Sequence, residues 1–314
     1  MDRDVIEHKE KVFIKSSQIT DDCYRLLNYI EDCYAIVGVA RSGIFPASFL
    51  STISNSRLFS YENKNGTVTD LKGGMRTDGV YGNNDSKNIY ILDDSCYTGR
   101  AMKYAKSRIQ RQFKDKNIIT MALYSRREPY EVGMVDYVSR VLHDHYFEWN
   151  IFASPMCKRV CIDFDGILCR DFRPHEDDDG ETYLNTLQNM SLDRVRPQSK
   201  WPVDIITARL EKWRKPTEDW LKKNKINYGN LIMAPWNNIS ERFNNDIASW
   251  KAEKFKESNK MLYIESDHRQ AIKIHLESGK EVIHYNSGRL FASNYVKIND
   301  TVTEEGLNEC TSIC

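Results

Sequence analysis

Two adjacent aspartates, Asp93 and Asp94, follow an apolar run at residues 88–92 and precede the turn residues Thr98 and Gly99. Two neighbouring carboxylates suit a vicinal diol, because each hydroxyl can donate a hydrogen bond to a carboxylate oxygen. The turn is expected to expose backbone N–H groups where a helix begins, which is where proteins commonly hold phosphate. A diol site beside a phosphate site predicts the binding of ribose 5-phosphate.

A second pair of aspartates, Asp163 and Asp165, lies at the end of another apolar run, which begins at Val160. Residues two apart on an ideal strand point to the same face, so these two carboxylates are predicted to lie together. Further polar groups at predicted strand ends or helix starts follow in order: Thr207, Lys251 and the segment Glu265-Ser266-Asp267.

The elements that must position these residues are short apolar strands alternating with helical patterns, which favours a parallel α/β architecture in both halves of the chain. The first half also carries a helix predicted to open at Gly43–Leu50, and a helix with one apolar face formed by Ala101, Met102, Ala105, Ile109 and Phe113. The predicted strands are Ala35–Ala40, Asn88–Leu92, Ile118–Tyr124, Val160–Phe164, Val203–Thr207, Leu231–Met233, Met261–Glu265 and Glu281–Tyr285.

Two domains and a polar tail are predicted, with borders at residues 1–154, 155–298 and 299–314. Residues 60–87 are polar and rich in Gly, Asn and Asp. A loop of that length inside a compact domain is usually functional or disordered.

Composition excludes several classes of protein. Lys+Arg and Asp+Glu both total 45 in the 314 residues, so no global field favours nucleic acid. No apolar run is long enough to span a membrane, and the N-terminus does not resemble a signal peptide. The eight cysteines form no CxxC pair, which predicts reduced thiols in a cytoplasmic protein.

The first acid pair and its surroundings resemble the phosphoribosyl diphosphate (PRPP) motif of type I phosphoribosyltransferases. The resemblance implies a parallel sheet that binds PRPP, with the two acids on the ribose hydroxyls. It also implies a loop whose strained, often cis, peptide turns its N–H toward the diphosphate. The implied PRPP contacts are Ala40, Arg41 and Ser42 in that loop, Asp93 and Asp94 in the motif, and Tyr97, Thr98, Gly99, Arg100 and Ala101 around the 5-phosphate.

Residues 60–87 correspond in this resemblance to a mobile hood over the reacting centre, with Lys72 and Arg76 as cations for the leaving pyrophosphate. Closing such a hood would exclude water from an oxocarbenium-like transition state. Mg2+ is implied as well, because the charge of a diphosphate leaving group needs to be neutralised.

The second acid pair resembles the Asp-x-Asp-Gly motif of the haloacid dehalogenase (HAD) superfamily, and implies a HAD-like Rossmannoid domain with a small cap at about residues 170–200. The resemblance makes Asp163 the nucleophile that forms an aspartyl-phosphate. Asp165 would protonate the leaving alcohol and then activate water. Thr207 would supply the hydroxyl of the second motif, and Lys251, with Lys254 as the alternative, would neutralise the phosphoaspartate.

Mg2+ is implied at this second site too. Its ligands would be Asp163, the carbonyl group of Asp165, and Asp267 or Glu265.

The two signatures together resemble bacterial enzymes that install ribofuranose in surface polysaccharides. The resemblance implies transfer of 5-phosphoribosyl from PRPP to a sugar hydroxyl of a glycan, with a lipid-linked glycan as one option, followed by removal of the 5-phosphate. It further implies a cytoplasmic protein, at most peripheral to the inner face of the membrane, and leaves a homo-oligomer open.

Two alternatives stay open from the sequence. One is nucleobase salvage coupled to a nucleotidase, for which Tyr146, Phe147 and Trp149 could supply base-stacking rings. The other is a non-catalytic PRPP sensor, against which the complete set of phosphatase acids argues.

Overall fold

The chain divides into two compact units, Met1–His145 and Tyr146–Cys314. Each unit contains a mainly parallel sheet with helices, so the predicted α/β fold class is confirmed. The computed structural model describes residues 5–71, 85–193, 195–197 and 200–292.

The first unit is built on parallel strands joined by helices. Its strands are β1 (Ile6–His8), β2 (Val12–Ile14), β3 (Cys33–Ala40), β4 (Arg57–Glu62), β5 (Thr67–Asp70), β6 (Asn88–Cys96), β7 (Asn117–Ser125) and β8 (Tyr137–Leu142), and β9 (His145–Phe147) spans the border. Its helices are α1 (Gln18–Leu27), α2 (Ile44–Ile53), α3 (Arg100–Gln112) and α4 (Arg127–Glu131). Seven of these strands form a sheet of order β1-β8-β7-β6-β3-β4-β5, in which β5 alone among the described strands is antiparallel to its neighbour.

Alternation along β3 and β6 creates the face on which α3 packs. Every second residue of β3 from Ala35 to Val39 is buried in one cluster with Met102, Ala105 and Ile109 of the helix. This alternation is expected for a strand, because successive side chains of a strand point to opposite faces of the sheet. The apolar face predicted for α3 is therefore confirmed, except that Ala101 is exposed.

The second unit has the same layered design. Its strands are β10 (Val160–Ile162), β11 (Val203–Leu210), β12 (Tyr228–Ala234), β13 (Leu262–Glu265), β14 (Glu281–His284) and β15 (Arg289–Phe291). Its helices are α5 (Glu148–Ile151), α6 (Glu181–Asn189), α7 (Arg214–Lys223), α8 (Ile239–Asn244), α9 (Ile247–Glu257) and α10 (His268–Ser278), with 3-10 turns at Pro155–Arg159 and Glu211–Trp213. The sheet order is β12-β11-β10-β13-β14-β15, with β15 antiparallel.

Each sheet has one point at which the strand order reverses. In the first unit the chain passes from β3 outward to β4 and later returns to the other side of β3 as β6. In the second unit β11 and β12 lie on one side of β10, and β13 and β14 lie on the other. In open α/β sheets, ligands bind at such switch points, outside the carboxyl ends of the strands.

Two sequence predictions differ from the structure in the first unit. Strand β6 continues four residues beyond the predicted end at Leu92, because Ser95 and Cys96 still pair with β7. Part of the predicted loop at 60–87 is an antiparallel pair formed by β4 and β5, joined around Gly66. The predicted cations Lys72 and Arg76 of that loop lie outside the described residues, as does the predicted tail at 299–314.

The described cysteines form no disulfide: Cys23, Cys33, Cys96, Cys157, Cys161 and Cys169 are all free thiols. Within the described ranges, none of the helices has the length and apolar character needed to cross a membrane.

Candidate active sites

The loop after β3 lies directly against the acid-bearing end of β6. A Cβ atom on Gly43 would approach the Leu92 carbonyl oxygen to 2.7 Å and the Asp93 Cα to 2.9 Å. Only glycine therefore permits this approach of two backbones. The peptide between Ala40 and Arg41 is cis, and the side chains of Arg41 and Ser42 are exposed.

Asp93 and Asp94 lie near the carboxyl end of strand β6 and interact with each other. The Asp94 N–H donates to Asp93 Oδ1 at 2.9 Å. Burial, followed by the charge of Asp94, raises the pKa of Asp93 to about 8. No salt bridge to either carboxylate occurs within the described residues. Two neighbouring acids without a cation favour ligands that bring hydroxyl donors or positive charge.

The phosphate-binding turn predicted at residues 97–101 leads into α3. Gly99 is the N-cap residue with φ of 70°, and within the described residues no side chain caps this helix end. The first turn carries no acidic residue and begins with Arg100. A cation at this end opposes the helix dipole, whereas a bound anion would match both the dipole and the cation.

Sequence reasoning missed Arg126, which immediately follows β7. Its backbone N–H donates to the Cys96 carbonyl oxygen at 3.1 Å. Its guanidinium carbon lies 3.6 Å from the centroid of the Tyr97 ring, which is itself exposed. The Arg126 Nε atom is buried and has no hydrogen-bond partner among the described residues. Arg126 comes just after the apolar run 118–124 and follows β7, the strand that pairs with β6. This position is the sequence signal that could have identified it.

In the second unit, a buried lysine joins two of the predicted acids. The Lys251 Nζ atom lies 2.8 Å from Asp163 Oδ2 and 2.8 Å from Glu265 Oε2. Asp163 directly follows β10, Glu265 ends the neighbouring β13, and the Asp163 N–H donates to the Ile264 carbonyl oxygen at 2.9 Å. The switch point and α9 thus bring together residues that are far apart in the sequence.

The charges in this cluster are strongly coupled. Burial and then the Glu265 carboxylate raise the pKa of Asp163 well above its ordinary value. Burial by itself would lower the pKa of Lys251, but the charges of Asp163 and Glu265 outweigh it and raise that pKa. One ammonium group shared by two carboxylates leaves the Asp163 carboxylate oriented but not fully neutralised.

Asp165 has a different cation, Arg209. Arg209 donates from Nη2 to Asp165 Oδ1 at 2.6 Å and from Nε to Asp165 Oδ2 at 3.0 Å. Thr207 is buried, and its hydroxyl oxygen accepts the Arg209 N–H at 3.2 Å. Arg209 lies two residues after Thr207, and sequence reasoning gave it no role, because nothing in the spacing shows which acid a buried arginine will meet.

The predicted metal ligands are Asp163, the carbonyl group of Asp165, and either Asp267 or Glu265. Asp267 caps α10 by accepting the Gln270 N–H, and the Asp165 carbonyl oxygen accepts the Ser266 hydroxyl at 3.1 Å. No group of three or more His, Cys, Asp or Glu side chains in the described part of the chain could hold a metal ion. Magnesium stays a prediction in both units, and no chemical step below depends on it.

Comparisons with known proteins identify a partial likeness. No protein-family model and no curated protein matches the chain. Over less than half of its length, the chain is similar to three solved phosphoribosyltransferases. These are xanthine-guanine-hypoxanthine phosphoribosyltransferase of Helicobacter pylori (16% identity, 45% of this chain, 95% of that chain, TM-score 0.36), orotate phosphoribosyltransferase from Aeropyrum pernix (15%, 40%, 70%, 0.31) and adenine phosphoribosyltransferase from Rhodothermus marinus (11%, 41%, 78%, 0.30). At these TM-scores the alignments do not assign the chain to a family.

Proposed function

We propose that residues 1–154 transfer 5-phosphoribosyl from PRPP to an acceptor, and that residues 155–298 then remove the 5-phosphate. The acceptor that we propose is a sugar hydroxyl of a bacterial surface glycan. The observation that carries the proposal is the placement of both acid pairs at switch points, each at the carboxyl ends of parallel strands.

In the transfer step, the acceptor oxygen would attack C1 of the ribose while pyrophosphate leaves with the bonding electrons. Asp93 and Asp94 would hold the ribose hydroxyls, and the loop at Ala40–Ser42 would face the diphosphate. The absence of a cation on the two acids within the described residues supports this role, because the hydroxyl donors would arrive with the substrate.

In the phosphatase step, Asp163 would attack phosphorus and form an aspartyl-phosphate while the ribosyl oxygen leaves as an alcohol. Asp165 in its protonated form would give its proton to that oxygen, and the carboxylate that this leaves would take a proton from the water that hydrolyses the intermediate. The 2.8 Å contact between Lys251 and Asp163 supports these roles, because the ammonium group orients the nucleophile and offsets charge that gathers on phosphorus oxygens.

Removing the phosphate would make the overall transfer effectively irreversible and would leave a plain ribofuranosyl group. A nucleobase acceptor gains no support from the aromatic residues that could have stacked on it. Tyr146 and Phe147 are buried, and Phe147 stacks on Trp149 with ring centroids 4.5 Å apart.

An Asp163→Asn variant tests the proposal, because it retains the first step and lacks the nucleophile of the second. With PRPP and a bacterial glycan extract, we expect this variant to accumulate a phosphoribosylated acceptor whose mass identifies it. Consumption of PRPP only with purines or pyrimidines would contradict the glycan acceptor.

The transfer step has its own control. Replacing Asp93 and Asp94 together by Asn should abolish pyrophosphate release while leaving the hydrolysis of added ribose 5-phosphate intact. Unchanged pyrophosphate release in this double variant would show that the transfer site is elsewhere.

A further inference from the structure

Arg209 is buried beside two aromatic rings and binds Asp165. The Arg209 side chain is 1% exposed, whereas that of Asp165 is 22% exposed. The guanidinium carbon lies 3.7 Å from the centroid of the Phe164 ring and 5.5 Å from that of Phe172. The Asp165 carboxylate is therefore bound by a buried guanidinium group, while part of the Asp165 side chain remains exposed.

The hydrogen bonds around Arg209 fix the orientation of the Asp165 carboxylate. Two guanidinium nitrogens bind one carboxylate oxygen each, in the planar geometry that arginine and a carboxylate share. The Cys169 thiol donates to Asp165 Oδ1 at 3.3 Å and accepts from Arg209 Nη2 at 3.4 Å. Rotation of the carboxylate would break several bonds at once.

The remaining nitrogen of Arg209 argues against a purely structural role. Arg209 Nη1 is buried and has no hydrogen-bond partner among the described residues. An unsatisfied buried donor destabilises the folded protein, because the group loses its hydrogen bonds to water and gains none. Arg242, another buried arginine of this unit, pairs with Asp177 and leaves no such nitrogen in the described part of the chain. An arginine kept for stability would be expected to resemble Arg242.

We propose that Arg209 is a positioning residue, which acts through Asp165 to set the proton-donating oxygen for the phosphatase reaction. This inference rests on the proposed function of the second unit. It assigns a role to the guanidinium group that the acid-pair motif does not contain. It also explains why Arg209 binds Asp165, the acid proposed to exchange a proton, whereas Lys251 binds Asp163.

The test compares two phosphate esters in the unmodified protein and in Arg209→Met. Ribose 5-phosphate has a poor leaving group that needs a proton, whereas p-nitrophenyl phosphate releases a stable anion without one. We expect kcat for ribose 5-phosphate to fall about 100-fold or more, and kcat for p-nitrophenyl phosphate to fall less than about fivefold. KM should change little for either ester, because Arg209 does not touch the substrate.

Two further variants keep the test decisive. Arg242→Met removes a buried arginine of the same unit and should affect both esters equally. Arg209→Lys retains the cation with a single donor group, and we expect it to recover part of the lost ribose 5-phosphate activity. It also provides a readout if Arg209→Met does not fold.

The outcomes separate the two levels of the proposal. Equal loss on both esters in Arg209→Met or Arg209→Lys would overturn the positioning role and leave the proposed function standing. Hydrolysis of neither ester by the unmodified protein would overturn the proposed phosphatase function, and the positioning role with it.

Discussion

The two acid-bearing strand ends differ in what surrounds the acids. In the first unit, Asp93 and Asp94 have no ion pair among the described residues, and the helices that follow β3 and β6 begin at Gly43 and Gly99 without side-chain caps. In the second unit, Lys251 and Arg209 each bind an acid. The helices α8, α9 and α10 there are capped by side chains of Asn238, Asp246 and Asp267.

This difference indicates two ways of building an anion-handling site. The first unit leaves helix N–H groups and carboxylates for a ligand to satisfy, so the ligand must bring phosphate, hydroxyl donors or positive charge. The second unit pairs its acids with buried cations before any ligand arrives, which suits carboxylates that are held at fixed positions.

The largest effect is expected from Lys251→Met. Removing the ammonium group leaves Asp163 and Glu265 as buried carboxylates without their cation, which should cost about 3–5 kcal/mol of unfolding free energy. Chemical denaturation measures the change. Lys254→Met is the matched control, since its pairs with Glu253 and Glu257 are exposed and should contribute less than about 1 kcal/mol. Equal losses in the two variants would mean that the buried cluster is not charge-balanced by Lys251.

The next effect is expected from Gly99→Ala at the start of α3. An added Cβ would lie 2.6 Å from the Met134 Cβ in a backbone conformation with positive φ, which should cost about 2–4 kcal/mol. Gly133→Ala is the control, because Gly133 has the same φ of 70° but no atom within 4 Å of its added Cβ. Ribose 5-phosphate binding should weaken only in the first variant. Equal weakening in both variants would contradict the assignment of the phosphate to the start of α3.

A smaller, pH-dependent effect is expected from Asp93→Asn. The unfolded chain loses the Asp93 proton near pH 4, about its ordinary pKa. The folded protein keeps the proton until about pH 8, because burial and Asp94 raise the pKa. Folding stability therefore falls as pH rises between these values, and Asn, which resembles the protonated acid, should avoid that loss. We expect the melting temperature of the variant to gain on the parent steadily from pH 4 to pH 8.

The exposed Asp115 provides a control for this pH series, because its replacement by Asn removes a charge that is already in water. A gain in melting temperature for Asp93→Asn that does not depend on pH would contradict the raised pKa of Asp93 in the first acid pair.

The smallest effect is expected from Asp267→Ala, which removes the side-chain cap of α10 at a cost of about 1 kcal/mol. Phosphatase activity should survive, because the Asp267 carboxylate is committed to the Gln270 N–H. Glu265→Gln should abolish activity, since Glu265 shares Lys251 with Asp163, the proposed nucleophile. Loss of activity in Asp267→Ala, measured as phosphate release, would instead make Asp267 a working part of the site.

The sequence predicts the fold well where strands are apolar and buried. In the first sheet the sequence predicts the buried strand β3 and the apolar face of α3, and in the second it predicts the strand that leads to Asp163. The partners of the acids could not be predicted. Which cation meets which carboxylate depends on tertiary packing, so the pairing of Arg209 with Asp165 and the cap role of Asp267 emerge only from the structure.

The most direct test of the central claim measures pyrophosphate and inorganic phosphate released from PRPP in the presence of glycan acceptor. The unmodified protein should release both, Asp163→Asn should release pyrophosphate alone, and the Asp93→Asn/Asp94→Asn double variant should release neither. If Asp163→Asn still releases phosphate from the transferred group, or the double variant still releases pyrophosphate, the assignment of one step to each unit is wrong.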